Sequence, residues 1–152
     1  MGTDSSDGPC CYQNRQHKVP IDDQTVVEFL DRIAVDLAKR REFAVWVSSD
    51  DAVRDANRRF RGISKTTDVL SFPDGEDGRL GDILIAAGRA QQQATQFQLS
   101  IEDELKTLAL HGLLHLMGHD HETDDGEMRE LETNLRKRYG LQSGLIERVD
   151  AC

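Results

Sequence analysis

The sequence predicts a single α+β domain with a buried, histidine-bearing helix near its centre. Three observations carry this. Short runs of β-formers at 43–48, 67–72 and 80–86 stand between longer stretches whose apolar residues recur at helical spacing. The stretch 108–117 is apolar nearly all round, which marks an interior helix rather than a surface one. No repeat or linker-like segment divides the 152 residues, a length that one core can serve.

Residues 1–9 are polar, acidic and expected to be disordered, and they carry no apolar stretch of the kind a secretory signal needs. A short strand is expected from Cys10 to Gln13, closed by Asn14, Arg15 and Gln16. After Pro20, Asp22 or Asp23 caps a first helix. Val26, Val27, Leu30, Ile33, Ala34, Leu37 and Ala38 form its apolar stripe, and Lys39, Arg40 and Arg41 stand where a helix C-terminus favours cations. The strand 43–48 follows, then Ser49 and Asp50 cap a helix over 50–60 that Gly62 ends. Strands 67–72 and 80–86, separated by the turn cluster 74–78, predict a hairpin. A helix is expected over 88–98. Ser100 caps the next, whose stripe of Leu105, Leu108, Ala109 and Leu113 continues to His115. Asp124 and Asp125 cap a last helix reaching Tyr139, with Met128, Leu131 and Leu135 inward. The domain is therefore placed at 10–141, with 142–152 as a C-terminal tail.

The net charge of −9 argues against tight binding of free nucleic acid. The distribution is uneven, however. Arg54, Arg58, Arg59, Arg61 and Lys65 cluster within twelve residues, either as a basic edge or as a solvated helix face. No run is long and apolar enough to predict a membrane span. Cys10, Cys11 and Cys152 form no C-x-x-C pair, and a reducing cytoplasm is the expected location.

Four of the five histidines fall within residues 111–121, His-Gly-Leu-Leu-His-Leu-Met-Gly-His-Asp-His. His111 and His115 lie one helical turn apart on one face. Gly118 permits the chain to reverse, bringing His119 and His121 within reach. Three imidazoles leave a fourth position open on zinc, the layout of a catalytic rather than a structural site. His111, His115 and His121 are the expected ligands. Their spacing equals that of H-E-x-x-H-x-x-G-x-x-H zinc peptidases. The peptidase base would stand at 112, where this chain has glycine, so the spacing supports the metal and argues against the peptidase. Gly112 is expected to leave room for substrate beside the ion. Asp120, His119, Glu122 and Asp82 are then the candidates for proton transfer, with Asp120 better suited to orienting an imidazole.

These residues resemble the YbeY endoribonucleases, a family of bacterial rRNA maturation factors. The resemblance spans roughly 12–140. It rests on Asn14-Arg15-Gln16, Asn57 with Arg61-Gly62, Thr67-Asp68-Val69-Leu70-Ser71-Phe72-Pro73, Leu80-Gly81-Asp82-Ile83 and the histidine segment, in that order. Position 119 is commonly tyrosine in the family, which favours His121 over His119 as third ligand. The resemblance implies a zincin-like domain with a small mixed sheet on about five helices. It implies one zinc ion and metal-activated water attacking single-stranded RNA at the 3′ end of small-subunit rRNA. It further implies work in ribosome quality control alongside ribosomal proteins, with no organic cofactor and no membrane partner. Arg61 matches the family's functional arginine, suited to holding a phosphodiester. The competing expectations are a zinc peptidase-like hydrolase and a non-enzymatic ribosome assembly factor with structural zinc.

Overall fold

A computed structural model describes residues 10–39, 41–62, 67–74, 78–120 and 123–141. The tails expected at 1–9 and 142–152 lie outside them. The elements run β1 (Cys10–Asn14), α1 (Asp23–Asp36), β2 (Glu42–Ser48), α2 (Asp50–Arg61), β3 (Val69–Pro73), β4 (Arg79–Ala86), α3 (Ala87–Gln96), α4 (Ile101–Leu116) and α5 (Glu127–Arg138). This is the expected α+β class, a mixed sheet with a central helix that carries histidines.

The sheet order is β1-β2-β4-β3. β1 and β4 both run parallel to β2, while β3 pairs antiparallel with β4 to form the expected hairpin. Side-chain alternation sorts the sheet into two faces. Cys10, Tyr12, Phe43, Val45, Val47, Ile83 and Ile85 point into the main core, shared with Leu30 and Ile33 of α1 and Leu108 and Leu113 of α4. Leu70 and Ala86 point the other way, where Val53 of α2 covers them. Helices α2 and α4 therefore occupy opposite faces. From Glu104 to Leu116 nearly every residue of α4 is buried, which is why its sequence reads as apolar all round.

Local chemistry explains the element ends. Asp22, Ser49 and Ser100 cap α1, α2 and α4, their side chains accepting the amides of Thr25, Ala52 and Asp103. Asn14 and Gln16 build a polar knot at the end of β1. Asn14 Nδ2 and the buried Tyr12 hydroxyl both donate to Asp23 Oδ1, and Gln16 Nε2 donates to Asn14 Oδ1. Several boundaries differ from expectation, two of them at helix ends with a clear local cause. Helix α1 stops at Asp36, because the amides of Leu37 and Ala38 both bond to the Ile33 carbonyl. Lys39 then adopts φ 52° on the way to β2, so Lys39 and Arg41 lie past the helix end. Helix α5 starts at Glu127 rather than after Asp125. Asp124 still serves its N-terminus, accepting the amides of Gly126 and Met128.

Gly81 is where the sheet and α4 come closest. Its φ is 143°, and a Cβ there would collide with the Phe72 carbonyl oxygen while meeting Leu116 Cδ2 at 3.0 Å. Gly81→Ala is expected to destabilise the fold by on the order of 3–5 kcal/mol, from backbone strain and overpacking together. Urea denaturation checks this, and a loss under about 1 kcal/mol would contradict the packing described.

Candidate metal centre

Helix α4 presents His111 and His115 one turn apart, as the spacing requires. His111 is buried at 8% exposure and His115 is half-buried. The rings meet edge to face with centroids 4.7 Å apart, and their Nε2 atoms face one another at 3.1 Å. Two nitrogens bound tetrahedrally to zinc at about 2.0–2.1 Å stand roughly 3.3 Å apart. The pair thus already holds nearly the spacing of two corners of such a site.

A residue that the sequence analysis passed over completes the His111 environment. Glu132 of α5 is 2% exposed, and its Oε2 lies 2.8 Å from His111 Nδ1. A carboxylate accepts, so the ring nitrogen donates, and in the neutral ring Nε2 then keeps its lone pair. This is the arrangement that carboxylates adopt behind metal-binding histidines. The two described donors therefore have the chemistry and spacing of two zinc positions. The signal was present in the sequence: Glu132 lies on the same helical stripe as Met128 and Leu135, and a carboxylate on an apolar stripe requires a partner.

The chain turns as soon as α4 has delivered its two histidines. The Gly118 amide bonds to the His115 carbonyl and the His119 amide to the Leu114 carbonyl, with Gly118 at φ 99°. This is a Schellman closure, which glycine permits without strain. Half-buried His119 and exposed Asp120 follow, and the Asp120 carbonyl accepts the amides of Thr123 and Asp124. His121, the expected third ligand, and Glu122 lie outside the described residues. Among the described residues no group of three His, Cys, Asp or Glu side chains is placed to hold an ion together.

One expectation needs correction. Gly112 does not open space beside the metal. A Cβ there would meet Ile83 Cγ2 at 2.9 Å and Ser71 Oγ at 3.1 Å, so the glycine lets α4 lie against the sheet. Ser71 Oγ seals the contact by donating to the Gly112 carbonyl. Asp82, a candidate proton carrier, alternates with Ile83 and so lies on the sheet face opposite the one that Ile83 turns to α4. There Oδ1 accepts from Trp46 Nε1 at 3.2 Å and from Arg79 at 3.0 Å. The carboxylates of Asp82 and Asp74 hold the Arg79 guanidinium's pKa above its ordinary value, against a smaller opposing effect of burial.

Arg61 ends α2 and is exposed, on a helix whose buried Val53 packs on the face of the sheet away from α4. Arg54, Arg58 and Arg59 pair with Asp51 and Asp55 along the exposed helix, a solvated face of the kind that contributes little to stability. Lys65 lies outside the described residues.

Residues 11–140 match the sequence profile of a family described as Endoribonuclease YbeY. The chain belongs to the YbeY family. Proteins named Endoribonuclease YbeY share 47% identity with it in Koribacter versatilis, over 85% of each chain. The corresponding protein of Helicobacter pylori shares 41%, over 87% of this chain and 98% of that one. The fold also matches the solution structure of a Thermotoga maritima protein, at TM-score 0.61 and 28% identity over 86% of this chain and 89% of the other. The resemblance seen in the sequence blocks is thus that of a YbeY member throughout the domain, and this YbeY chain is a hydrolase of the RNA-cleaving class.

The packing at Gly112 generates a prediction. Gly112→Glu, which restores the peptidase sequence pattern, is expected to gain no protease activity and to destabilise the protein, since overpacking costs about 1–3 kcal/mol for far smaller additions. A casein assay beside a thermal melt checks both, and a stable, proteolytic variant would contradict the packing.

Proposed function

We propose that this chain is a zinc-dependent, single-strand-specific endoribonuclease acting in rRNA maturation, at the 3′ end of small-subunit rRNA, and in ribosome quality control. The observation that carries the metal part is the facing Nε2 pair of His111 and His115, with Glu132 behind it, in a chain of an endoribonuclease family. The RNA specificity and the place of action rest on the family resemblance.

His111, His115 and His121 are the residues that would hold the ion. When bound, zinc supplies Lewis acidity and makes an attacking water acidic near neutral pH. The chain supplies the rest. The buried wall of α4 keeps the two described imidazoles in place, and Glu132 fixes the hydrogen-bonding direction of His111. Arg61 is assigned to the phosphodiester, where a guanidinium holds two oxygens and offsets charge gained in the transition state. Because α2 and α4 flank edge strand β3, the RNA backbone in this reading passes over that edge. His119, Asp120 and Glu122, which follow the turn, are the side chains assigned to proton movement.

The charge of −9 makes affinity for free RNA weak and salt-sensitive. Delivery to the substrate by ribosomal proteins in the cytoplasm resolves this in the proposal.

Purified, zinc-loaded protein is expected to cut single-stranded rRNA and to stop when chelator is added. His115→Ala should lower the cleavage rate at least ~100-fold with its circular dichroism unchanged, and Arg61→Ala should lower it about 10²–10³-fold, as loss of a charge-stabilising donor does. RNA left intact after extended incubation with folded, metal-loaded protein would overturn the proposal.

A further inference from the structure

We propose that Glu132 is a positioning residue that presets His111 as a metal donor before any ion arrives. The proposal rests on the reading that His111 and His115 hold the ion.

A carboxylate 2% exposed on the inner stripe of α5 is costly unless it is partnered. The His111 ring nitrogen at 2.8 Å supplies a partner, and it too is buried. The contact could serve merely to dock α5 onto α4. Its direction says more. The bond takes up the Nδ1 proton of His111, so a neutral ring has none on Nε2, and the Nε2 lone pair points at His115 Nε2, 3.1 Å away. In the metal-free protein that second contact is therefore a hydrogen bond in which His115 donates and His111 accepts. His111 needs no tautomer change to become a ligand. The carboxylate also strengthens donation from the far nitrogen of the ring.

The test uses the full chain, isotope-labelled and metal-free, and reads the His111 tautomer by long-range proton–nitrogen NMR. The wild type should show His111 protonated on Nδ1 and bare on Nε2, and Glu132→Ala should lose that preference. Zinc affinity, measured by competition with a chromophoric chelator, should fall about 10–100-fold in Glu132→Ala. Glu132→Gln, whose amide oxygen can still accept from Nδ1, should recover part of the loss. Leu135→Ala separates positioning from docking, because it removes an apolar core contact of α5 while keeping both His111 and Glu132, and it should leave zinc affinity within about twofold. The inference is overturned if wild-type His111 carries its proton on Nε2. It is overturned equally if Leu135→Ala weakens zinc as much as Glu132→Ala does. Full zinc affinity in Glu132→Ala alongside impaired binding in His111→Ala sinks the role of Glu132 alone, whereas full affinity in His111→Ala sinks the site itself.

Discussion

The approach of α4 to the sheet at Gly112 governs the geometry of everything around it. With no side chain at 112, the helix backbone lies against Ile83 and Ser71, and Ser71 fixes its height through the Gly112 carbonyl. Gly81 allows the same closeness from the sheet side, beneath Leu116. A helix held this tightly has little freedom to rotate, so residues one turn apart keep their relation. His111 and His115 inherit that rigidity. Sites built on packed helices hold their donors more tightly than sites built on loops, and here the helix is buried on nearly every side.

This constraint also separates the chain from the peptidases whose ligand spacing it shares. The glutamate those enzymes place at this position would have to enter a space already filled by the sheet. Position 112 in this protein serves packing. The same sheet divides the molecule electrostatically. Arginines and their aspartate partners line α2 on one face, and the histidines with Glu132 lie toward the other.

Much of this was legible in the residues. Among the described residues, apolar periodicity located the five helices and β-former runs located the strands, because burial imposes both patterns directly. Ser49 and Ser100 were readable as caps for the same reason that they work: a short side-chain oxygen meets an unpaired amide. The histidine spacing gave the shared helix face on which the Nε2 atoms of His111 and His115 meet. What the sequence hid depends on contacts between distant segments. Glu132 lies 21 residues from His111 and was assigned to no role, although its place on an apolar stripe marked it. Asp82 looked available because its alternation with Ile83 was not carried through to a side of the sheet. The reason for Gly112 was invisible without Ile83 and Ser71 beside it. Helix ends moved where the chain had to turn early, as at Leu37, or where Asp124 caps from outside the helix.

The central claim is that α4 and α5 together present a preformed zinc donor pair, with Glu132 behind the metal-binding histidine rather than on the metal. A crystal structure of the zinc-loaded protein, with the ion located by anomalous scattering, tests it most directly. The account predicts an ion about 2.0–2.1 Å from Nε2 of both His111 and His115, with Glu132 still bonded to His111 Nδ1. An ion bound away from α4, or one held directly by the Glu132 carboxylate, would contradict it.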